Sequence, residues 1–114
     1  MSDDEPSLSL QLLVHPRFRW REGMRDERGV RLVELDLWDG TDPPDLADPA
    51  TAGVLLQVLA ETGLLTDVVR DAGEWIVAVE LPEDGVQGYA SDILGEAACY
   101  ALLQAWDVLP DAIA

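Results

Sequence analysis

Carboxylates dominate the part of the sequence that is best suited to binding. Five aspartates recur at every third position: Asp36, Asp39, Asp42, Asp45 and Asp48. Pro43 and Pro44 favour polyproline II, which has three residues per turn, so the carboxylates near them would line one side of the chain. Such a row can imitate a phosphate backbone or enter an arginine-rich groove. A solvated loop whose last aspartate only caps a helix explains the same spacing.

This spacing predicts a partner-binding site, extended by a second acidic loop around residues 82–90. An exposed tryptophan beside the acids would serve as the apolar anchor, because tryptophan is enriched among residues that carry binding energy. The predicted binding residues are Asp36, Trp38, Asp39, Asp42, Asp45, Glu83 and Asp84. The acids of residues 36–42 lack the alternate spacing and the distal glutamate of a calcium loop, so no metal site is predicted.

A second motif, residues 17–21, alternates arginine with aromatic residues (Arg-Phe-Arg-Trp-Arg). Interleaved basic and aromatic side chains can bind single-stranded nucleic acid by stacking and charge. In a strand, however, alternation places the rings on one face and the guanidinium groups on the other. Cross-strand ion pairs with Glu34 and Asp36 explain the arginines more simply. Direct nucleic-acid binding is therefore not predicted.

No catalytic constellation stands out in the sequence. His15 is the single histidine and Cys99 the single cysteine, and no motif links either to a nucleophile or a base. A cysteine in the middle of an apolar helix is typically inert. Phosphate-loop, dinucleotide and zinc-ligand spacings are also missing. The sequence predicts a protein that is not an enzyme and that needs no cofactor.

The net charge is −16 over 114 residues, and every basic residue is arginine. Residues 1–33 contain six arginines and six acids, whereas residues 34–114 contain one arginine and seventeen acids. The resulting field repels nucleic acid and anionic membranes and attracts basic proteins. The acidic N-terminus argues against a signal peptide, and the apolar runs are too short to span a bilayer. We therefore expect a cytoplasmic protein with no membrane partner.

Periodicity predicts a frayed end over residues 1–7 and a single α+β domain over residues 8–114. Strands are predicted at residues 8–14, where a helical turn is the alternative, and at 17–21, 30–38, 64–70 and 74–81. Asp48 as N-cap, Pro49 and Gly63 delimit a first helix. A second helix runs from near Ser91 to about Asp107, and residues 82–90 form a loop. The predicted order is β-β-β-α-β-β-α, with two helices on one face of a mostly antiparallel sheet of four to five strands.

Both predicted helices are poor in charge. Residues 49–62 contain only Glu61 as a charged residue, and residues 93–106 only Glu96. A helix on the surface of a monomer normally carries a more charged outer stripe. The two helices are therefore either covered on both sides or part of an interface, and the second reading predicts a homodimer.

Two segments resemble small uncharacterised proteins of tailed phages and prophages. The first is residues 15–24 (His-Pro-Arg-Phe-Arg-Trp-Arg-Glu-Gly-Met), and the second is residues 44–53 (Pro-Asp-Leu-Ala-Asp-Pro-Ala-Thr-Ala-Gly). The layout of residues 48–106 is similar to that of phage ABA sandwich domains. The resemblance implies a phage origin and an α+β fold, but no particular activity.

Phage genomes carry many small proteins that disable host defence by binding, so the resemblance and the charge together suggest a function. We expect an inhibitor that occupies a basic, nucleic-acid-binding partner, such as a CRISPR-type complex in the host cytoplasm, by imitating the charge of DNA. The alternative is a self-associating accessory or structural phage protein without a heterologous partner.

Overall fold

The computed structural model describes residues 7–38 and 40–109. Three helices and three strands follow each other in the order α-α-β-β-β-α, with one 3-10 turn between the first two helices. The elements are α1 Leu8–Val14, the 3-10 turn Leu35–Leu37, α2 Pro49–Glu61, β1 Leu65–Asp71, β2 Glu74–Leu81, β3 Gly85–Ser91 and α3 Leu94–Val108.

Helix α2 begins where the sequence predicts it. The Asp48 side chain accepts a hydrogen bond from the Thr51 N–H, and Pro49 occupies the first turn, where its missing N–H costs no hydrogen bond. The helix ends at Glu61, and Gly63 takes a positive φ of 81° just beyond it. Local capping residues therefore determine both ends of this element.

The strands form one antiparallel sheet in the order β1-β2-β3. The predicted hairpin over residues 64–81 is present, and its strands are joined by the turn at Ala72 and Gly73. The prediction of a loop over residues 82–90 is wrong, because residues 85–91 form β3. Gly88 favours a loop by its residue type, but it lies within the strand, where a Cβ would meet Ile76 Cγ2 at a tight 3.1 Å.

The three strands predicted before α2 are not found. Residues 8–14 form α1, which Ser7 caps by accepting a hydrogen bond from the Leu10 N–H. Residues 17–21 lie outside any strand, and residues 30–38 contain a single isolated bridge and the 3-10 turn. Of the alternating side chains in residues 17–21, Phe18 is buried and Arg19 is exposed, whereas Arg17, Trp20 and Arg21 are all partly buried.

The α+β class and the antiparallel sheet are thus as predicted, whereas the strand count and the β-β-β-α-β-β-α order are not. In the described part of the chain the sheet has three strands instead of four or five. No helix among these residues is long and apolar enough to cross a membrane.

Helix α3 lies at the centre of the packing. It contacts β2, β3, α2 and α1, and nine of its fifteen residues are buried. At its start, Gly95 is so close to the Leu46 carbonyl that a Cβ would have no room. Burial on several sides explains why this helix carries so little charge, without invoking a second subunit.

The two faces of the sheet differ sharply. Val77 and Val79 of β2 are fully buried and, with Leu81, define the inner face. Because side chains alternate along a strand and directly paired residues share a side, the register defines the outer face. The outer face consists of Asp67, Val69, Asp71, Glu74, Ile76, Ala78, Glu80, Val86, Gly88 and Ala90.

Candidate partner-binding surfaces

Two of the predicted binding aspartates are held in ion pairs by arginines of the preceding loop. Asp42 Oδ2 lies 2.6 Å from Arg28 Nε, and Asp45 Oδ2 lies 3.6 Å from Arg25 Nε. All four side chains are partly exposed, so each pair stabilises the fold only modestly. Their charges are nevertheless offset within the protein, and a partner would have to replace these contacts.

The last aspartate of the series, Asp48, is buried and is held by several hydrogen bonds. Asp48 forms a bidentate ion pair with Arg31, with oxygen–nitrogen distances of 2.8 and 2.9 Å. It also accepts hydrogen bonds from the backbone N–H and the hydroxyl of Thr51. The hydrogen bond from Arg31, supported by those from Thr51, lowers the pKa of Asp48 far below its usual range despite burial. Asp48 is therefore a structural residue.

A fourth carboxylate, which the sequence analysis did not single out, organises the arginine loop itself. Asp26 is fully buried and accepts hydrogen bonds from the N–H groups of Arg28 and Val30 and from the Arg28 guanidinium. Burial acts to raise its pKa, but these hydrogen bonds outweigh burial and leave the pKa lowered. Asp26 thus holds Arg28 close to Asp42.

A sequence signal for these pairs exists. Arg25, Arg28 and Arg31 recur at every third residue, with the same spacing as Asp42, Asp45 and Asp48. Each of the three arginines pairs with a different one of the three aspartates. Matching spacings of opposite charge therefore indicated two loops that neutralise each other.

The predicted residues Asp36 and Trp38 lie in a different environment. Large apolar side chains around them are exposed, with Val33 at 74%, Leu35 at 51% and Leu37 at 80%, and no ion pair within the described residues involves Asp36. Trp38 is half-buried and packs edge-on against Trp20, with ring centroids 5.0 Å apart. Trp38 thus already contacts Trp20 within the protein, and only the rest of its ring could contact a partner. Asp39 lies outside the described residues, so its predicted role stays a prediction.

Glu83 and Asp84 lie in the turn between β2 and β3. The turn is closed by the pair Leu81–Gly85, and the neighbouring pair Glu80–Val86 belongs to the outer face. The charge of Asp84 reaches Tyr89, whose pKa is raised first by burial and second by this carboxylate. Within the described residues, neither hydrogen bond nor ion pair connects the turn to the 36–48 loop.

The carboxylates of the outer face and of the adjoining turn have no cationic partner among the described residues. We call this group the acidic sheet surface, and it consists of Asp67, Asp71, Glu74, Glu80, Glu83 and Asp84. Within residues 7–38 and 40–109, none of these carboxylates has a basic side chain within 4 Å. The nearby Arg70 belongs to the opposite face, where its guanidinium lies 5.2 Å from the centre of the Trp75 ring.

The sequence already contained the signal for this surface. Alternation along the two predicted strands places residues 67 and 69 on one face of the first and residues 74, 76, 78 and 80 on one face of the second. Because the predicted site lies on loops alone, it omits four of the six carboxylates.

The groups considered for catalysis are poorly placed for it. Cys99 is buried, and burial followed by the charge of Glu96 raises the pKa of its thiol to about 12. His15 stacks on Trp106 with ring centroids 4.8 Å apart, and its Nε2 lies 3.4 Å from Asp107 Oδ1. The described residues contain no group of three or more potential metal ligands. The prediction that the protein is not an enzyme stays a prediction.

No family model, no curated protein and no solved structure was found to match this chain. The resemblance to phage proteins and to the ABA sandwich layout therefore stays a prediction.

Proposed function

We propose that this protein is a binding protein whose acidic sheet surface occupies the basic, nucleic-acid-binding surface of another protein. The observation that carries the proposal is the charge of the outer face, where Asp67, Asp71, Glu74 and Glu80 have no cationic partner within residues 7–38 and 40–109 and no basic residue of the three strands shares their side. A surface of one sign attracts its opposite and excludes nucleic acid itself.

The dimensions of the surface suit an extended basic groove. Glu74 and Glu80 are six residues apart on β2, about 20 Å at the rise of a strand, and Asp67 and Asp71 are about 13 Å apart on β1. The two rows lie on neighbouring strands, roughly 4.8 Å apart. Two short parallel rows of negative charge can replace part of the phosphate contacts that such a groove normally makes.

Repulsion between these charges lowers the stability of the sheet. Asp71 and Glu74 are direct cross-strand partners beside the hairpin turn, and like charges placed opposite each other destabilise a sheet. Exposed apolar side chains on the same face, Val69 and Val86, give the surface area that a partner can cover. Charge and exposed apolar area together favour protein binding over a role of the charge in keeping the chain dispersed.

The class of target is part of the proposal. A phage inhibitor of a host nucleic-acid-handling complex, including a CRISPR-type complex, requires this kind of surface. This class of target follows from the predicted resemblance of residues 15–24 and 44–53 to phage proteins.

A displacement experiment tests the proposal. Proteins of a host lysate are bound to immobilised double-stranded DNA, and the tagged acidic protein is added at low salt. We expect it to release a specific basic protein and to remain bound to it, with the effect lost at high salt. The variant Asp67→Asn/Asp71→Asn/Glu74→Gln/Glu80→Gln should release nothing. Release of no protein, or equal release by this variant, would overturn the proposal.

Self-association is a second candidate, favoured by the sheet edge. Strand β3 lies at one edge of the sheet and contains no charged residue, proline or bulge over Gly85–Ser91. The opposite edge, β1, carries Asp67, Arg70 and Asp71 and a register shift. Charges and irregularities protect edges from pairing with other strands, so within the described part of the chain β3 is the less protected edge by its sequence.

This edge offers a dimer interface that differs from the helix-mediated homodimer predicted from the sequence. Light scattering coupled to size exclusion distinguishes the two candidates. A dimer that Ala90→Pro converts to a monomer, together with no release of protein from DNA, would favour self-association, because the Ala90 N–H points away from β2 to the free edge. A monomer that releases protein from DNA would favour the acidic binding protein.

A further inference from the structure

A cleft of about 390 Å³ opens between α2, α3 and the chain that precedes Met24. Its walls are Val54, Val58 and Leu55 of α2, and its deeper side is Leu102 and Trp106 of α3. Apolar residues thus form most of the lining, and the volume lies in the range of small-molecule sites, about 300–1,000 Å³.

The mouth of this cleft is cationic, which is unusual in so acidic a protein. Arg17, Arg19 and Arg21 all line it, and no carboxylate does. Three other clefts of the described residues each include an acid, among them Asp48, Glu27 and Glu34. Six of the seven basic residues of the chain precede residue 34, and half of those six surround this one opening.

The three arginines differ in how they are held. Arg21 forms a two-pronged ion pair with Glu61, at 2.6 and 2.9 Å, so its charge is offset. Arg17 donates a hydrogen bond to the Leu109 carbonyl at 3.4 Å. Arg19 uses one guanidinium nitrogen to bond the carbonyls of Pro16 and Phe18, at 3.1 and 2.7 Å, and has no carboxylate within 4 Å among the described residues.

Arg19 is therefore oriented by the backbone of its own loop while its net positive charge remains without a partner. A guanidinium has five N–H donors, and two hydrogen bonds from one nitrogen leave the other two nitrogens available. A carboxylate matches these donors in geometry and charge. We propose that the cleft binds a small amphipathic anion, with its apolar body between α2 and α3 and its carboxylate head on Arg19.

This inference is independent of the proposed function, because it rests on the arginines of residues 17–21 and not on the acidic sheet surface. It also gives residues 17–21 a different role from the nucleic-acid reading weighed in the sequence analysis. Phosphate backbones are long and hydrophilic, whereas this cleft is short and mostly apolar.

Decanoate, below its micellar concentration, is a suitable probe, with decanol and decylamine as neutral and cationic matches. Binding is followed by the methyl NMR signals of Val54, Val58 and Leu102, which line the cleft. We expect saturable shifts with decanoate and at least tenfold weaker binding of the two matched compounds, since a hydrogen bond to a charged group contributes about 1.5–3 kcal/mol, or tenfold and more.

Two variants with the same change of charge test the role of Arg19. Arg19→Gln should weaken decanoate binding about tenfold, whereas Arg70→Gln, which removes the arginine on β1, should leave it unchanged. A third variant, Val58→Phe, should abolish binding by filling the cleft. Equal binding of decanoate and decanol, equal affinity of Arg19→Gln and wild type, or the lack of saturable shifts would overturn the proposal.

Discussion

At the scale of single residues, the negative charge of a carboxylate does not show whether it binds a partner or stabilises the fold. Asp48 and Asp42 belong to the same periodic series as Asp36, yet Asp48 caps a helix and Asp42 pairs with Arg28. Asp36 has no such partner. Periodicity in the sequence identified the series correctly, but only the folded structure separates the members that are neutralised from those that face solvent.

Asp48 should contribute more to stability than any neighbour in the series. It is buried, caps α2 and pairs with Arg31, so Asp48→Ala should lower the free energy of unfolding by about 2 kcal/mol. Asp45→Ala is the control, because its partner Arg25 is 3.6 Å away, and its cost should stay below about 1 kcal/mol. Urea unfolding at neutral pH measures both values, and equal costs would contradict the structural role of Asp48.

The lowered pKa of Asp48 also predicts a dependence on pH. A carboxylate whose folded pKa lies below its unfolded value of about 3.9 stabilises the fold above that value. The stabilisation is lost as the pH falls toward the folded pKa. Between pH 5 and about pH 2, the free energy of unfolding of the wild type should therefore decrease more than that of Asp48→Asn. Parallel pH profiles for the two proteins would show that Asp48 is not responsible.

The Cys99 thiol should not react with disulfide reagents in the folded protein. Its thiol is buried and its pKa is raised to about 12, so the reactive thiolate is scarce at neutral pH. A disulfide reagent such as 5,5′-dithiobis(2-nitrobenzoate) should modify it only after unfolding in urea. Fast modification of the native protein, at the rate seen in urea, would contradict this placement.

At the scale of elements, sequence reasoning succeeded where local signals decide the structure. The α2 helix has an N-cap, a first-turn proline and a terminal glycine, and the β1–β2 hairpin has two apolar runs around Ala72 and Gly73. Reasoning failed where distant contacts decide. Residues 30–38 have the sequence pattern of a strand, but among the described residues they pair only through the isolated bridge of Arg31 with Arg25. Strand β3 contains Gly88, where a Cβ would lie 3.1 Å from Ile76 Cγ2.

Two glycines in helices make the contrast between local and distant effects measurable. Gly95→Ala should destabilise the protein by more than about 2 kcal/mol, because the new Cβ would collide with the Leu46 backbone. Gly53→Ala in α2 meets nothing within 4 Å and should stabilise by up to about 1 kcal/mol through helix propensity. Thermal unfolding of both variants tests this, and similar shifts in Tm would contradict the close packing of α3 on the loop.

At the scale of the whole molecule, the fold distributes the uncompensated negative charge unevenly over the surface. The arginine-rich first third neutralises the 42–48 loop and part of α2, so those acids contribute little to the external field. The acids of the sheet have no such compensation and concentrate the field on the outer face. The separate net charges of residues 1–33 and 34–114 indicate the imbalance but not the face that carries it.

The measurement that tests this account most directly is the affinity of two charge-matched variants for the protein released from DNA. One removes the outer-face acids (Asp67→Asn/Asp71→Asn/Glu74→Gln/Glu80→Gln), and the other removes four acids of the loop (Glu34→Gln/Asp36→Asn/Asp42→Asn/Asp45→Asn). At roughly 0.5 kcal/mol per surface ion pair, the first should weaken binding about thirtyfold, whereas the second should change it less than about threefold. The reverse order would place the site on the periodic loop, and equal losses would show that net charge alone drives binding; either result would contradict the assignment to the sheet.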